Sequence, residues 1–368
     1  VRIVQVLTQT TGGPADHVVD VAAALAARGH DSHVVGPASE RRTELAAAGV
    51  TWHTASMGHK LDGRGAAAIV SQLRRLCPDV VHGQDRRAGW IVRGLGPVLR
   101  ARCVYTLHGV PDGLADLVEG NVRAAPRRRR DRLYYLWGER LVTRWSGGVV
   151  VVPSEAVARY AVAHVGLPDR LVHVVHNGVD PAAWVPAEAD RVGADGSLVV
   201  AWVGLLGTVK RVDVLLRAVE QVPGISVLLA GDGPLRDEVE REVHRRGLDG
   251  RVRMLGMVAD VRPVLGAADL FVLTSAAENL PMALLQAMSS GLPSVVSAVG
   301  GVPELVRHDV EGWLVPAGDV AATAAALAHA LVHRSELAAM GARARARVID
   351  GWTLDQCVDR LVDVYADR

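Results

Sequence analysis

The sequence predicts an α/β protein made of two doubly wound parallel-sheet domains that face each other across a cleft. Three observations predict it. Short β-branched runs alternate with helical periodicity along the whole chain. Those runs are continuously apolar, as strands covered on both faces are. A segment rich in Pro, Ala, Gly and Asp, residues 180–197, divides 368 residues into two similar parts. A chain of this length exceeds what one ordinary core supports.

The elements follow in order. "RIVQVL" (2–7) reads as a strand, "DHVVDVAAALAARG" (16–29) as a helix and "DSHVVG" (31–36) as a second strand. Strands are then expected at 79–83, 102–109, 147–154 and 171–178. The second half repeats the logic at 198–204, 225–231, 252–256, 270–275, 293–297 and 312–316. "WTLDQCVDRLVDVY" (352–365) reads as a closing helix. The expected division is a first domain over 1–180, a linker over 181–197 and a second domain over 198–350. A terminal helix within 351–368 is placed to cross back to the first domain.

Composition excludes several classes. Apolar runs stop far short of the roughly 20 residues a membrane span requires, and the opening residues read as a strand, not a signal peptide. Cys77, Cys103 and Cys357 lie far apart, in no metal or redox spacing, which points to a reduced, cytoplasmic setting. The net charge of +1 gives no electrostatic argument for nucleic acid. Among 41 basic residues only Lys60 and Lys210 are lysines, so each stands out against an arginine background.

Gly12 and Gly13 follow the first strand and precede a helix, where backbone can approach a ligand and free N–H groups favour an anion. A tight strand–helix turn is the competing reading. Without GxGxxG, no nicotinamide cofactor is indicated. "VGLLGTVKRVDVLLRAV" (203–219) repeats the geometry, with Lys210 in the loop where an ammonium can reach a phosphate. In "AENLPMALLQAMSSGLP" (277–293), Glu278 stands at the end of an apolar strand and just before a helix. Pro281 fits the first helical turn, with Asn279 or Leu280 near the cap. The first-turn N–H groups then point toward the strand end, and Met282 and Gln286, four apart, share a face. An acid near a helix start for its dipole alone, worth about 0.5 kcal/mol, is the competing explanation of Glu278.

These stretches, with "LAARGHD", "VYTLHG" (104–109), "VVHNGVD" (174–180), "GDGPL" (231–235) and "VGGVPELV" (299–306), occur in an order that resembles the retaining glycosyltransferases of family 4. The resemblance spans nearly the whole chain and is most specific in the C-terminal part. It implies the GT-B architecture of two Rossmann-like domains and a nucleoside-diphosphate sugar as co-substrate, with no cofactor and no metal. It also implies roles. Gly13 approaches the donor diphosphate, Lys210 neutralises it, and Glu278 holds sugar hydroxyls. Leu280, Pro281 and Met282 offer backbone contacts, Val258 lies against the nucleobase, and His108 faces the reacting sugar. Two positions depart from the family pattern: Leu205 stands where an arginine is usual, and Gln286 replaces the second acid. Arg211 is a candidate substitute for the missing arginine.

The resemblance therefore implies a metal-independent retaining transferase acting on a hydroxyl acceptor, be it a lipid, a saccharide or a small metabolite. The alternative is a non-catalytic binding or scaffold subunit on the same fold, motivated by Leu205 and Gln286. An epimerase or phosphorylase has less support. "RAAPRRRRDRLYYLWGERLVTRW" (123–145) sets four arginines before Leu133, Trp137, Leu141 and Trp145 at steps of four. It reads either as a peripheral contact with the inner membrane face or as a packed helix with a solvated basic start.

Overall fold

Runs of Val, Leu and Ile build two all-parallel sheets in the computed structural model, which describes residues 1–9, 12–58, 62–186 and 196–367. Lys60 and positions 187–195 of the expected linker lie outside the described residues. The chain divides into two compact units. The first comprises Val1–Pro111, Arg128–Asn177 and Leu354–Arg368, and the second Asp112–Arg127 and Gly178–Thr353. The terminal helix Leu354–Ala366 thus belongs to the first unit. Residues 112–127, which the sequence places inside the first domain, group with the second.

The first sheet contains β1 (Arg2–Val6), β2 (Asp31–Gly36), β3 (Thr51–Thr54), β4 (Val80–Gly83), β5 (Arg102–Thr106), β6 (Val149–Val152) and β7 (Val172–Val174), in the order 3-2-1-4-5-6-7. β3, "TWHT", is absent from the sequence reading. It is a polar edge strand without the apolar run by which the others are recognised. Side chains alternate along each strand, and this decides what each face meets. Val4 and Val6 pack with Ile69, Leu73 and Val92 on one side. Ile3, Val80 and Val104 pack on the other with Val358, Leu361 and Val364 of the terminal helix. Gln5, His82 and Thr106, two residues further along each strand, continue that second face and are buried.

The second sheet contains β8 (Leu198–Val203), β9 (Ile225–Ala230), β10 (Val252–Gly256), β11 (Leu270–Leu273), β12 (Ser294–Ser297) and β13 (Gly312–Val315), in the order 10-9-8-11-12-13. Trp202, Leu229 and Val272 fill one face, and Ala201, Phe271, Leu284 and Met288 the other. Strand order reverses between β1 and β4 in one sheet and between β8 and β11 in the other. Ligands of such sheets bind beyond the carboxyl ends of the strands at that reversal.

The segment 133–146 is helical, a π-turn over Leu133–Gly138 followed by an α-helix over Glu139–Ser146. Its inner side is fixed by Tyr134 stacked on Trp90 at 4.7 Å and by Glu139, paired with the buried Arg93. The packed-helix reading of its apolar stripe is overturned: Leu133, Trp137, Leu141 and Trp145 all face solvent. The three cysteines are free thiols.

Candidate active site

In the second unit the strand reversal brings two loops together. β8 ends at Gly204, and the chain passes through a short turn, Thr208–Lys210, into the helix Val212–Gln221. The glycines of "GDG" clasp this loop from one side. A Cβ at Gly231 would stand 1.8 Å from the Gly204 carbonyl oxygen, and one at Gly233 would stand 2.6 Å from that of Leu206. The other side is stitched to the end of β11: Ala276 N–H donates to Val209 O at 2.7 Å, and Thr274 Oγ1 to Arg211 O at 2.9 Å.

So held, Lys210 Nζ lies 2.5 Å from Glu278 Oε1, which also accepts from Ser275 Oγ at 2.7 Å. Both charged side chains are partly buried, so their pairing is less screened than that of a surface pair. The expected lysine and the expected acid are therefore partners. An ammonium has three donors, and this contact uses one of them.

Glu278's backbone is gripped by a residue the sequence reading missed. Asn121 Oδ1 accepts from Glu278 N–H at 3.2 Å, and Asn121 Nδ2 donates to Glu278 O at 3.4 Å. Asn121 is buried in the segment 112–127, which also bonds Val122 N–H to Ala276 O at 2.7 Å. Gly300, at φ +50, backs the same loop. A Cβ there would lie 1.8 Å from Glu278 O, which is what "VGGVPELV" contributes.

The helix Met282–Ser289 follows, one residue later than expected. Pro281 is its N-cap, extended at φ −73 and ψ 121, and so lies before the first turn. With Pro281 as cap and no side-chain acceptor, the N–H groups of Met282 and Ala283 have no partner within the helix. Gln286, half-buried one turn on from Met282, makes no side-chain hydrogen bond among the described residues. Val258 is half-buried and packs on the core that contains Leu280. Leu205 is 59% exposed. Arg211, the candidate substitute for the missing arginine, is bound to Asp213 through two hydrogen bonds of 2.9 and 3.0 Å.

In the first unit, a pocket of about 400 Å³ opens at the ends of β1, β4 and β5, lined by Pro14, Gln84, Arg87, His108, Tyr134 and Tyr135 among others. Gly12, at φ 95, caps the helix Gly13–Ala27, a conformation that favours glycine. The glycine turn therefore leads into this pocket through Pro14. Asp85 fixes the floor. It caps the helix Arg86–Leu99 through the N–H groups of Arg87 and Ala88, and it accepts from the Thr8 hydroxyl at 2.8 Å.

His108 Nε2 lies 2.8 Å from Gln84 Oε1. Gln84 Nε2 in turn donates to Gln5 Oε1 at 2.7 Å, and Gln5 Nε2 to Tyr365 Oη at 3.2 Å. Tyr365 then donates to His82 Nδ1 at 2.7 Å, leaving His82 Nε2 to donate to Thr106 Oγ1 at 2.6 Å. Amide and ring orientations follow from satisfying this whole chain. Gln84 therefore presents its carbonyl, so His108 carries its proton on Nε2 and is an acceptor at Nδ1. Burial, then the neighbouring His17 and His82, push the His108 pKa well down, so its ring is neutral near pH 7. Burial likewise lowers His17 to about 4 and His82 to about 3.

The structure thus brings Lys210, Glu278 and the helix start at 281–282 together in one unit, and His108 with the turn after Gly13 in the other. Gln84, Asn121, Ser275 and Tyr365 were missed. Only Gln84 carried a local signal, an amide at the end of the apolar "DVVHG" directly before a capping Asp.

Two family descriptions match consecutive parts of the chain. "Glycosyltransferase Family 4" covers residues 11–183 and "Glycosyl transferases group 1" residues 197–333. The UDP-Gal:alpha-D-GlcNAc-diphosphoundecaprenol alpha-1,3-galactosyltransferase of Escherichia coli is 25% identical, over 83% of this chain and 80% of its own. The D-inositol 3-phosphate glycosyltransferase of Mycobacterium marinum is 30% identical, over 78% of this chain and 63% of its own, so the chain spans less than two thirds of that relative. Among solved structures, Anabaena Alr3699/HepE in complex with UDP-glucose superposes with a TM-score of 0.84 at 21% identity, over 99% of this chain and 98% of that one. Sucrose-phosphate synthase from Thermosynechococcus elongatus gives 0.83 at 19% identity, over the same shares. At such identities the structures speak to the fold, and the fold is GT-B. Joined with two matching family descriptions and the motif residues set at their strand ends, this similarity shows that the chain belongs to glycosyltransferase family 4.

Proposed function

We propose that the protein transfers a sugar from a nucleoside-diphosphate sugar, a UDP-sugar in the first instance, to a hydroxyl acceptor with retention of anomeric configuration and without a metal. The observation that carries this reading is Lys210 held against Glu278 at the β8/β11 reversal, beside an uncapped helix start. As the bond from the anomeric carbon to the diphosphate breaks, negative charge gathers on the leaving phosphate. Lys210 and the N–H groups of Met282 and Ala283 are fixed donors for it. The acceptor oxygen attacks from the same face, and the departing phosphate takes its proton. Glu278 holds sugar hydroxyls, Val258 lies against the base and Gln286 meets the ribose. His108, neutral and accepting at Nδ1, orients the sugar in this scheme. The UDP-sugar preference rests on the Escherichia coli relative, whose name gives UDP-Gal, and on the UDP-glucose complex of the Anabaena protein. Independently of this chemistry, a cytoplasmic location with peripheral contact at the inner membrane face is proposed.

A thermal-shift screen of UDP-, GDP-, ADP- and dTDP-sugars tests the donor assignment. Product anomer by NMR tests retention, and activity in EDTA tests metal independence. The second reading, a donor-binding subunit that does not turn over, is favoured by the exposed Leu205 and the amide of Gln286. Saturable donor binding with no nucleotide release on any acceptor would establish it.

A further inference from the structure

We propose that the outer face of the helical segment 133–146 seats on an anionic lipid surface, and that the pocket it walls takes a hydroxyl borne by a membrane-anchored amphiphile. The second half of this rests on the transferase reading above; the first half stands without it.

Leu133, Trp137, Leu141 and Trp145 are 61–68% exposed, and the two tryptophans are the only exposed ones among the described residues. The row is straight for a geometric reason. A step of four overshoots one α-turn and falls short of one π-turn, so the change from π to α at residue 139 keeps all four side chains in line. The other exposed large apolar residues are scattered singly along the chain.

Charge selects the occupant. Arg128, Arg129, Arg130, Arg132, Arg140 and Arg144 are exposed in and before the helix. The segment's two acids offset little of this charge: Glu139 is buried against Arg93, and Asp131 pairs at 4.0 Å with Arg130 alone among the described residues. A second copy of the chain would press one arginine row on another. An anionic bilayer supplies the opposite charge and an interface that suits tryptophan. The inner side of the same helix carries Tyr134 and Tyr135, which line the pocket with His108. One helix, about 10 Å across, therefore separates the lipid face from the acceptor pocket. A hydroxyl in the headgroup region lies within that reach, on a molecule that remains anchored.

Flotation with vesicles of phosphatidylglycerol mixed into phosphatidylcholine, against phosphatidylcholine alone, tests the surface. The protein is expected to float only with the anionic vesicles, with a blue-shifted tryptophan emission. The double variant Trp137→Ser, Leu141→Ser should bind about tenfold more weakly or worse, with its thermal shift by UDP unchanged. Equal flotation of variant and parent, or no flotation of the parent, overturns the proposal. So does a dimer in solution that the variant dissolves. For the acceptor, sugar-labelled donor is incubated with native cell membranes. Label is expected in chloroform–methanol extracts, and the variant should reduce it. Label confined to the water-soluble fraction overturns the anchored acceptor. Label in neither fraction counts against the transferase reading, while flotation still decides the surface.

Discussion

The Lys210–Glu278 contact sets two charges against each other at 2.5 Å in a partly buried place, so neither residue acts alone. Lys210→Ala should cut transfer by about a hundredfold or more, the scale of losing one fixed donor to a leaving group, with donor affinity falling as well. Steady-state kinetics and calorimetric titration check both, and unchanged kinetics would remove Lys210 from the phosphate site. Leu205→Arg with Gln286→Glu should tighten UDP binding, since position 205 is open to solvent and the Gln286 amide makes no hydrogen bond among the described residues. No gain would mean that the donor pocket has been rebuilt around these changes. Lys210 was legible because a lysine among arginines is conspicuous, and Glu278 because it ends a strand. The clasp by Asn121 was not legible. It spans 157 residues of sequence and leaves no periodic trace.

The terminal helix and the strand ends it covers act together. Tyr365 bonds both Gln5 and His82, and through Gln84 this chain reaches His108. Gln84→Leu should leave the His108 Nε2–H without its acceptor. Turnover should drop while UDP affinity holds, and nitrogen-15 shifts of the ring should report a mixed tautomer. An unchanged tautomer would refute the assignment of Gln84 as a positioning residue.

The same buried imidazoles make the first unit acid-sensitive. His17 and His82, lowered to about 4 and about 3, stay neutral in the folded chain where the unfolded chain protonates them near pH 6.5. The unfolded state then binds more protons, so stability rises with pH across this window. Their contribution is complete above about pH 6.5 and is lost as pH falls towards those lower values, at about 1.4 kcal/mol per pH unit for each group. Asp20, raised to about 6 by burial, has the opposite sign between about pH 4 and 6 and offsets one of them. Melting temperature should therefore fall between pH 6.5 and 4.5. A flat profile would contradict the burial of these rings. The strands themselves were legible wherever both faces are covered. β3 escaped because its sequence is polar and none of its four residues is buried, so that only its pairing with β2 marks it as a strand.

At the scale of the molecule, the two-sheet plan follows from continuous apolar runs, but the chain's path between the units does not. Val358, Leu361 and Val364 are buried against Ile3, Leu25 and Val104. At roughly 2 kcal/mol each, removing Leu354–Arg368 should cost the first unit about 6 kcal/mol. Hydrogen exchange should then show β1, β4 and β5 exchanging faster. Uniform protection after truncation would argue that the helix is dispensable.

Residues 112–127 carry a consequence for anyone recombining this scaffold with a homologue. A hybrid that grafts the block 178–353 alone would import a Glu278 loop shaped for a foreign clasp, because Asn121 travels with the other parent. Crossovers need to fall at 112 and 128 as well, so that both stretches descend from one ancestor.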